Sequence, residues 1–158
     1  MNAENINSFV HGAQSTLSAF CGESGKLGKL FVKQKPYAAM PVSVIIGIIG
    51  DLQGEVIYTM DTDCGMYLAS KVMMGMSVLE MDDMAKSAIS ELANMISGNA
   101  ASMLFSCGVK IDITTPTYVV DNDTSIFSSF INAEDKLLCV PMHLTSGQIF
   151  EMDLHLRS

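Results

Sequence analysis

The stretch Val42–Met60, VSVIIGIIGDLQGEVIYTM, decides the fold. Val42–Gly50 is dense in β-branched residues, Asp51–Gly54 is turn chemistry, and Glu55–Met60 is strand-forming again. Two strands joined by so short a polar turn must pair antiparallel, because a parallel pair needs a crossover of about a dozen residues or more. The apolar tract that contains the first strand, Ala38–Gly50, includes Pro41 and Ser43 and falls short of the ~20 residues that span a bilayer. It predicts a buried strand.

Upstream, Ile6, Phe9, Val10, Ala13, Leu17 and Phe20 recur at helical spacing between Ala3 and Cys21, and Gly22 can end that helix. Lys26–Lys33 alternates weakly and predicts one strand. Downstream, Asp61-Thr62-Asp63 offers an N-cap for a helix running through Tyr67, Leu68 and Val72 to a break at Met74-Gly75. The longest helix is expected from about Met81 to Ser106, stopping near Gly108. Strands follow at Lys110–Thr115 and Thr117–Asp121, then a polar loop at Asn122–Ser129. Lys136–Thr145 and Gln148–Arg157 form a second hairpin around Ser146-Gly147. Its last strand alternates, with Ile149, Glu151, Asp153 and His155 on one side and Phe150, Met152, Leu154 and Leu156 on the other. Hairpins dominate and no βαβ rhythm occurs. The expected class is α+β, an antiparallel sheet with packed helices, in a single domain over residues 1–158.

The totals narrow the function. Apolar residues make up 49% of the chain and the formal net charge is −8, with no basic cluster beyond a loose group at Lys26, Lys29, Lys33 and Lys35. An acidic chain of this kind argues against nucleic acid and against anionic membranes. Cys21, Cys64, Cys107 and Cys139 lie far apart with no C-x-x-C, which predicts free thiols in the core and no thiolate metal site. The first residues lack the basic and apolar stretches of a secretory signal, so a cytoplasmic protein is expected. His11, His143 and His155 are dispersed and predict structural or solvated roles. Met73, Met74, Met76, Met81 and Met84 gather around the junction of the second and third helices and predict core filler.

The third helix carries the chemistry. With Ser87 at zero and 100° per residue, Glu91 falls about 40° to one side and Asn94 about 20° to the other. Gly98 and Ala101 share that sector, while Ala85, Ile89, Leu92, Ile96 and Met103 lie opposite. One face therefore packs on the sheet. The other is a strip of Ser87, Glu91, Asn94, Gly98 and Ala101. From Leu92 to Gly108 there is no charged residue, unlike a solvated helix face. Gly98 costs about 1 kcal/mol relative to Ala in a helix interior. Small residues beside a Glu and an Asn fit the close approach of another surface, either a second helix of this chain or a partner. Glu-x-x-Asn alone is a weak signal, since Glu4-Asn5-Ile6-Asn7 also matches it. That copy has neither the preceding Ser nor the small-residue strip.

With these residues in place, the sequence resembles the CheC/CheX/FliY family of chemotaxis phosphatases. The family motif, an Asp or Ser, then Glu, Asn and a later Pro, stands here as Ser87, Glu91, Asn94 and, after 21 intervening residues, Pro116. The tract ELANMISGNA, Glu91–Ala100, is written as the family writes this helix, and the order of elements matches over nearly the whole chain. CheC-type members tend to carry two such motifs and CheX-type members one, so the chain is CheX-like.

The resemblance implies a CheC-like fold and a protein substrate, a CheY-like receiver phosphorylated on aspartate. It implies that Glu91 and Asn94 are catalytic, Asn94 orienting the attacking water and Glu91 pairing with a receiver Lys. Ser87, Gly98 and Ala101 would contact the partner, and Pro116 would shape the chain entering the next strand. Mg²⁺ would be supplied at the receiver's active site, with no metal or cofactor bound by this chain. A homodimer joined through a sheet edge is implied as well. The competing readings are a non-catalytic adaptor that docks a receiver or flagellar-switch protein on this helix, and, more weakly, a small-molecule sensor.

Overall fold

A computed structural model of the protein describes residues 2–34, 37–132 and 134–158, without the side chains of Asn122 and Thr124. Lys35, one of the loose lysine group, lies outside the described residues. The chain runs α1 (Ala3–Cys21), β1 (Lys26–Leu27), β2 (Phe31–Lys33), β3 (Val42–Gly50), β4 (Gln53–Met60), α2 (Thr62–Val72), α3 (Asp83–Ser106), β5 (Ile111–Ile113), β6 (Thr117–Tyr118), α4 (Thr124–Phe130), β7 (Leu137–His143) and β8 (Ile149–Arg157). A 3-10 turn, Val120–Asn122, precedes α4. Among the described residues the strands form one eight-stranded sheet in the order β1-β7-β8-β4-β3-β5, with β2 also on β7 and β6 also on β3. Every pairing is antiparallel, and both expected hairpins, β3–β4 and β7–β8, are present.

Local chemistry explains the helix boundaries. Asp61 caps α2 by accepting a hydrogen bond from the Cys64 N–H at 2.7 Å, and Asp82 caps α3 through the Ala85 N–H at 2.9 Å. Asn2 does the same for α1, which ends at Gly22 in the left-handed conformation. The first three helices cover one face of the sheet. There Phe9, Ala13 and Leu17 of α1 and Ile89, Leu92 and Ile96 of α3 share a core with Val44, Ile46, Tyr58, Met152 and Leu154.

Two polar ties fix the rotation of α3 about its own axis. The hydroxyls of Tyr58 on β4 and Ser97 bond at 2.7 Å in the interior, and Asn99 donates to Thr16 of α1 at 2.8 Å. Where α1 crosses α3, Gly12 permits backbone contact: a Cβ built there would lie 2.9 Å from the Ile96 carbonyl oxygen and 3.0 Å from the Ala100 nitrogen. These contacts turn Ser87, Glu91 and Asn94 away from the core.

Several expectations need correction. Lys26–Lys33 is two short strands, both pairing with β7, because four steps from Leu27 to Phe31 oppose three from Met142 to Cys139, and the extra residue interrupts the ladder. The polar stretch Asn122–Ser129 is mostly the 3-10 turn and α4, whose Phe127, with Ile131 just beyond, packs against Ile45 and Ile57 on the sheet's second face. The methionines are not all core filler: Met74, Met76 and Met84 are 95%, 55% and 59% exposed. Met103 is exposed as well, and Leu104 is the buried residue at that end of α3. Cys107 is exposed, whereas Cys21, Cys64 and Cys139 are buried; all four are free thiols.

The second face also buries charge. The Lys33 ammonium bonds to Glu151 at 2.5 Å and to Asp153 at 3.1 Å, and the Tyr37 hydroxyl donates to Asp153. Ligand atoms of Cys139, Glu151 and Asp153 gather within 4.8 Å of one another, but the lysine already supplies the cation. Burial would by itself discharge Lys33; the two carboxylates outweigh it and hold its pKa above the usual lysine value.

One ammonium cannot balance two buried carboxylates. Burial and the neighbouring Asp153 lift Glu151 to about 7 in spite of Lys33. An unfolded glutamate ionises near 4.5. Between those values the folded state holds the extra proton, so what Glu151 contributes to stability is complete below the unfolded value and lost as pH rises through about 7. The melting temperature is therefore expected to fall between about pH 5.5 and pH 8 by more in the wild type than in Glu151→Gln, which stays neutral throughout. Equal falls in thermal melts of the two proteins would remove Glu151 as the source.

Candidate functional site

The outward strip of α3 forms one wall of an open groove of about 720 Å³. From α3 it is lined by Asp83, Lys86, Ser87, Ser90, Glu91 and Asn94. The opposite wall is Ile113–Pro116 with Tyr118, the segment joining β5 to β6. Gly47, a break in the β-branched run of β3, lets that wall dock. Thr114 donates its N–H to the Gly47 carbonyl at 2.9 Å and accepts the Gly47 N–H at 2.8 Å. A Cβ at Gly47 would sit 2.9 Å from the Thr114 methyl.

The sequence motif is thus assembled in space. Ser87 and Glu91 are exposed, Asn94 is half-buried, and Pro116 faces them from across the groove. Pro116 lines the site itself, in addition to leading the chain into β6. Gly98 and Ala101 are half-buried and lie beyond the groove on the same strip. A Cβ at Gly98 would meet nothing within 4 Å, so no second helix among the described residues explains the glycine. Glu4 and Asn7 are exposed near the start of α1, away from the groove lining.

Reading the motif alone misses Lys86, Ser90, Thr114, Thr115 and Tyr118. Lys86, Ser90 and Asn94 are spaced i, i+4, i+8, a signal that was present in the sequence. The threonine wall had no such signal, since it reaches the helix only through the sheet.

The groove's chemistry is limited. It is shallow and open, not an enclosed apolar pocket suited to a small molecule. It holds neither cysteine nor histidine among its lining residues, and the clustered potential metal ligands lie on the sheet's other face. What it offers is a carboxylate and a carboxamide about 4.5 Å apart along the helix axis, side by side on a surface another protein can reach. Among the described residues, no helix is long and apolar enough to cross a membrane.

Comparison with known proteins agrees with this architecture. The family model described as "Chemotaxis phosphatase CheX" matches residues 42–142, which span β3, β4, the whole of α3 and all but the last residue of β7. A curated relative, the CheY-P phosphatase CheX of Thermotoga maritima, is 30% identical over 158 residues, covering 100% of this chain and 99% of the relative. A chain in the crystal structure of the CheX–CheY–BeF3–Mg²⁺ complex from Borrelia burgdorferi is 28% identical with a TM-score of 0.79, covering 97% of each chain. The chemotaxis protein CheX of Desulfovibrio desulfuricans shares the fold at a TM-score of 0.82 and 23% identity, over 98% of this chain and 99% of that one. With its single motif-bearing helix laid open on an antiparallel sheet, the chain belongs to the CheX family of chemotaxis phosphatases.

Proposed function

We propose that this protein hydrolyses the phospho-aspartate of a CheY-like response regulator, with Asn94 and Glu91 as its catalytic residues. The observation that carries the reading is the joint outward presentation of Glu91 and Asn94 on an open groove, with unfilled space at Gly98 beyond. Support comes from the relative named as a CheY-P phosphatase and from the neighbouring complex that holds CheY, BeF3 and Mg²⁺.

An acyl phosphate is already reactive, so the catalyst has only to hold a water in line with phosphorus and keep the partner's groups still. The Asn94 carboxamide accepts a hydrogen bond from that water while placing no negative charge beside the phosphoryl oxygens. Glu91 pairs with the receiver's lysine and so orients the two proteins. Mg²⁺ would be held by the receiver's acidic residues and would offset phosphoryl charge, with no ligand needed from this chain. Ser87, Gly98 and Ala101 form the surface over which the receiver lies. Residues 1–158 act as one domain in a cytoplasmic pathway.

The test is the lifetime of phosphate on a CheY-like receiver in Mg²⁺, with and without the protein. Faster loss supports the reading. Binding with no change in lifetime favours an adaptor instead, and overturns it.

The protein is also proposed to dimerise through the β1–β2 edge of the sheet. Both edges are built of short strands, but this one exposes Leu27, Phe31 and Val32 at 42%, 43% and 56%. Exposed apolar residues on a free strand edge invite pairing with a second copy. Sedimentation is expected to give a dimer for the wild type and a monomer for Val32→Glu; a Val32→Glu dimer would rule out this edge.

A further inference from the structure

We infer that Lys86 is a docking cation that pairs with an acidic side chain on the surface of the phosphorylated receiver, away from the reacting phosphoryl group. The inference rests on the proposed function of the same groove and extends it to a residue outside the motif.

Lys86 does little for its own helix. It sits one turn into α3, near the positive end of the helix dipole, where a cation gains nothing. Asp82 and Asp83 are spaced i−4 and i−3 from it, the arrangement that favours ion pairs on a helix. Neither pair is made: among the described residues no carboxylate lies within 4 Å of the Lys86 ammonium. Asp82 is engaged as the N-cap. The ammonium instead lies over the Tyr118 ring, 5.7 Å from its centroid. Tyr118 belongs to the opposite wall, so the lysine is held out across the groove. Lys86 and Tyr118 also line an adjoining hollow with Thr62, Met81 and Asp121, and stand as a ridge between the two.

Charge names the partner's chemistry. Lys86 is the one cation among the groove-lining residues, beside Asp83 and Glu91, in a chain of net charge −8. A receiver that binds Mg²⁺ through its own carboxylates brings a second acidic surface, and two such surfaces repel each other. A half-buried, preoriented ammonium on the ridge reverses the sign locally. Distance then separates docking from chemistry. Eight residues of helix put Lys86 about 12 Å from Asn94 along the axis, further than a lysine side chain spans. With Glu91 on the receiver's lysine and Lys86 on a receiver carboxylate, the two charges set the register of the partner along α3.

The experiment uses the full chain and a CheY-like receiver charged by a small-molecule phosphodonor. Lys86→Glu is expected to raise KM about tenfold and to leave kcat within about twofold of wild type. Lys86→Arg is expected to recover KM. Salt is expected to raise the wild-type KM more steeply than that of Lys86→Ala. An unchanged KM in Lys86→Glu, or a fall in kcat at constant KM, overturns the inference. Binding to the BeF3-activated receiver keeps it apart from the catalytic reading. If the wild type binds but does not shorten phosphate lifetime, and Lys86→Glu binds about tenfold more weakly, docking stands and catalysis falls. If the wild type shortens the lifetime and Lys86→Glu binds equally well, docking alone falls.

Discussion

Asn94→Ala is expected to return the phosphate lifetime of a CheY-like receiver to that of the receiver alone while leaving the fold unchanged. The loss should be at least about 100-fold, the cost of a reacting water no longer held in line. Stability should not follow. Asn94 is half-buried at the groove wall, outside both core clusters. Alanine is the better helix former, by roughly half a kcal/mol. Asn94→Asp sharpens the test, since it keeps the size and a hydrogen-bond acceptor but places a second anion beside the phosphoryl oxygens. It should be nearly as inactive as the alanine variant. Full activity of Asn94→Ala, measured with its melting curve, would sink the mechanism proposed for this groove.

The second large effect is on stability, and it separates two glycines that the sequence presents alike. Both stand inside helices, where Gly→Ala ordinarily gains about 1 kcal/mol. At Gly12 the new methyl would meet backbone of α3 at 2.9 and 3.0 Å, and backbone cannot turn aside. The helices must separate, weakening the Asn99–Thr16 bond and the packing of Phe9, Ala13 and Leu17. Such overpacking costs about 3 kcal/mol, so Gly12→Ala should lose about 2 kcal/mol net. That corresponds to a melting temperature lower by about 4–8 °C.

At Gly98 nothing lies within 4 Å of the added methyl, so Gly98→Ala should instead raise the melting temperature by about 2–4 °C. Its phosphatase activity should nevertheless fall, because the methyl projects where the receiver is proposed to lie. A Gly98→Ala protein that is both more stable and fully active would show that the glycine gives the partner no clearance.

Much of this protein was legible along the chain because short-range rules govern it. The 100° helical period placed Ser87, Glu91 and Asn94 on one face, and that period does not depend on what the helix packs against. The Asp51–Gly54 stretch between two β-rich runs made β3 and β4 antiparallel neighbours, although Gln53 and Gly54 join β4 and leave Asp51 and Leu52 as the loop, and Asp61 marked the start of α2. Other features were decided only in three dimensions. Thr124–Phe130 is polar and short, and it becomes α4 because Phe127 finds Ile45 and Ile57 on the second face. Glu151 and Asp153 alternate like solvent-facing strand residues, yet they are buried on that face, against Lys33 and, for Asp153, the Tyr37 hydroxyl. The threonine wall of the groove lies 20 residues and more from Asn94 in sequence and meets it only through the docking of Thr114 on Gly47. Lys86 was one of a few scattered lysines until Tyr118 came beneath it. By itself the sequence determined which residues share a face of α3. Whether that face is open was left to tertiary packing, since exposure depends on which distant segments come near.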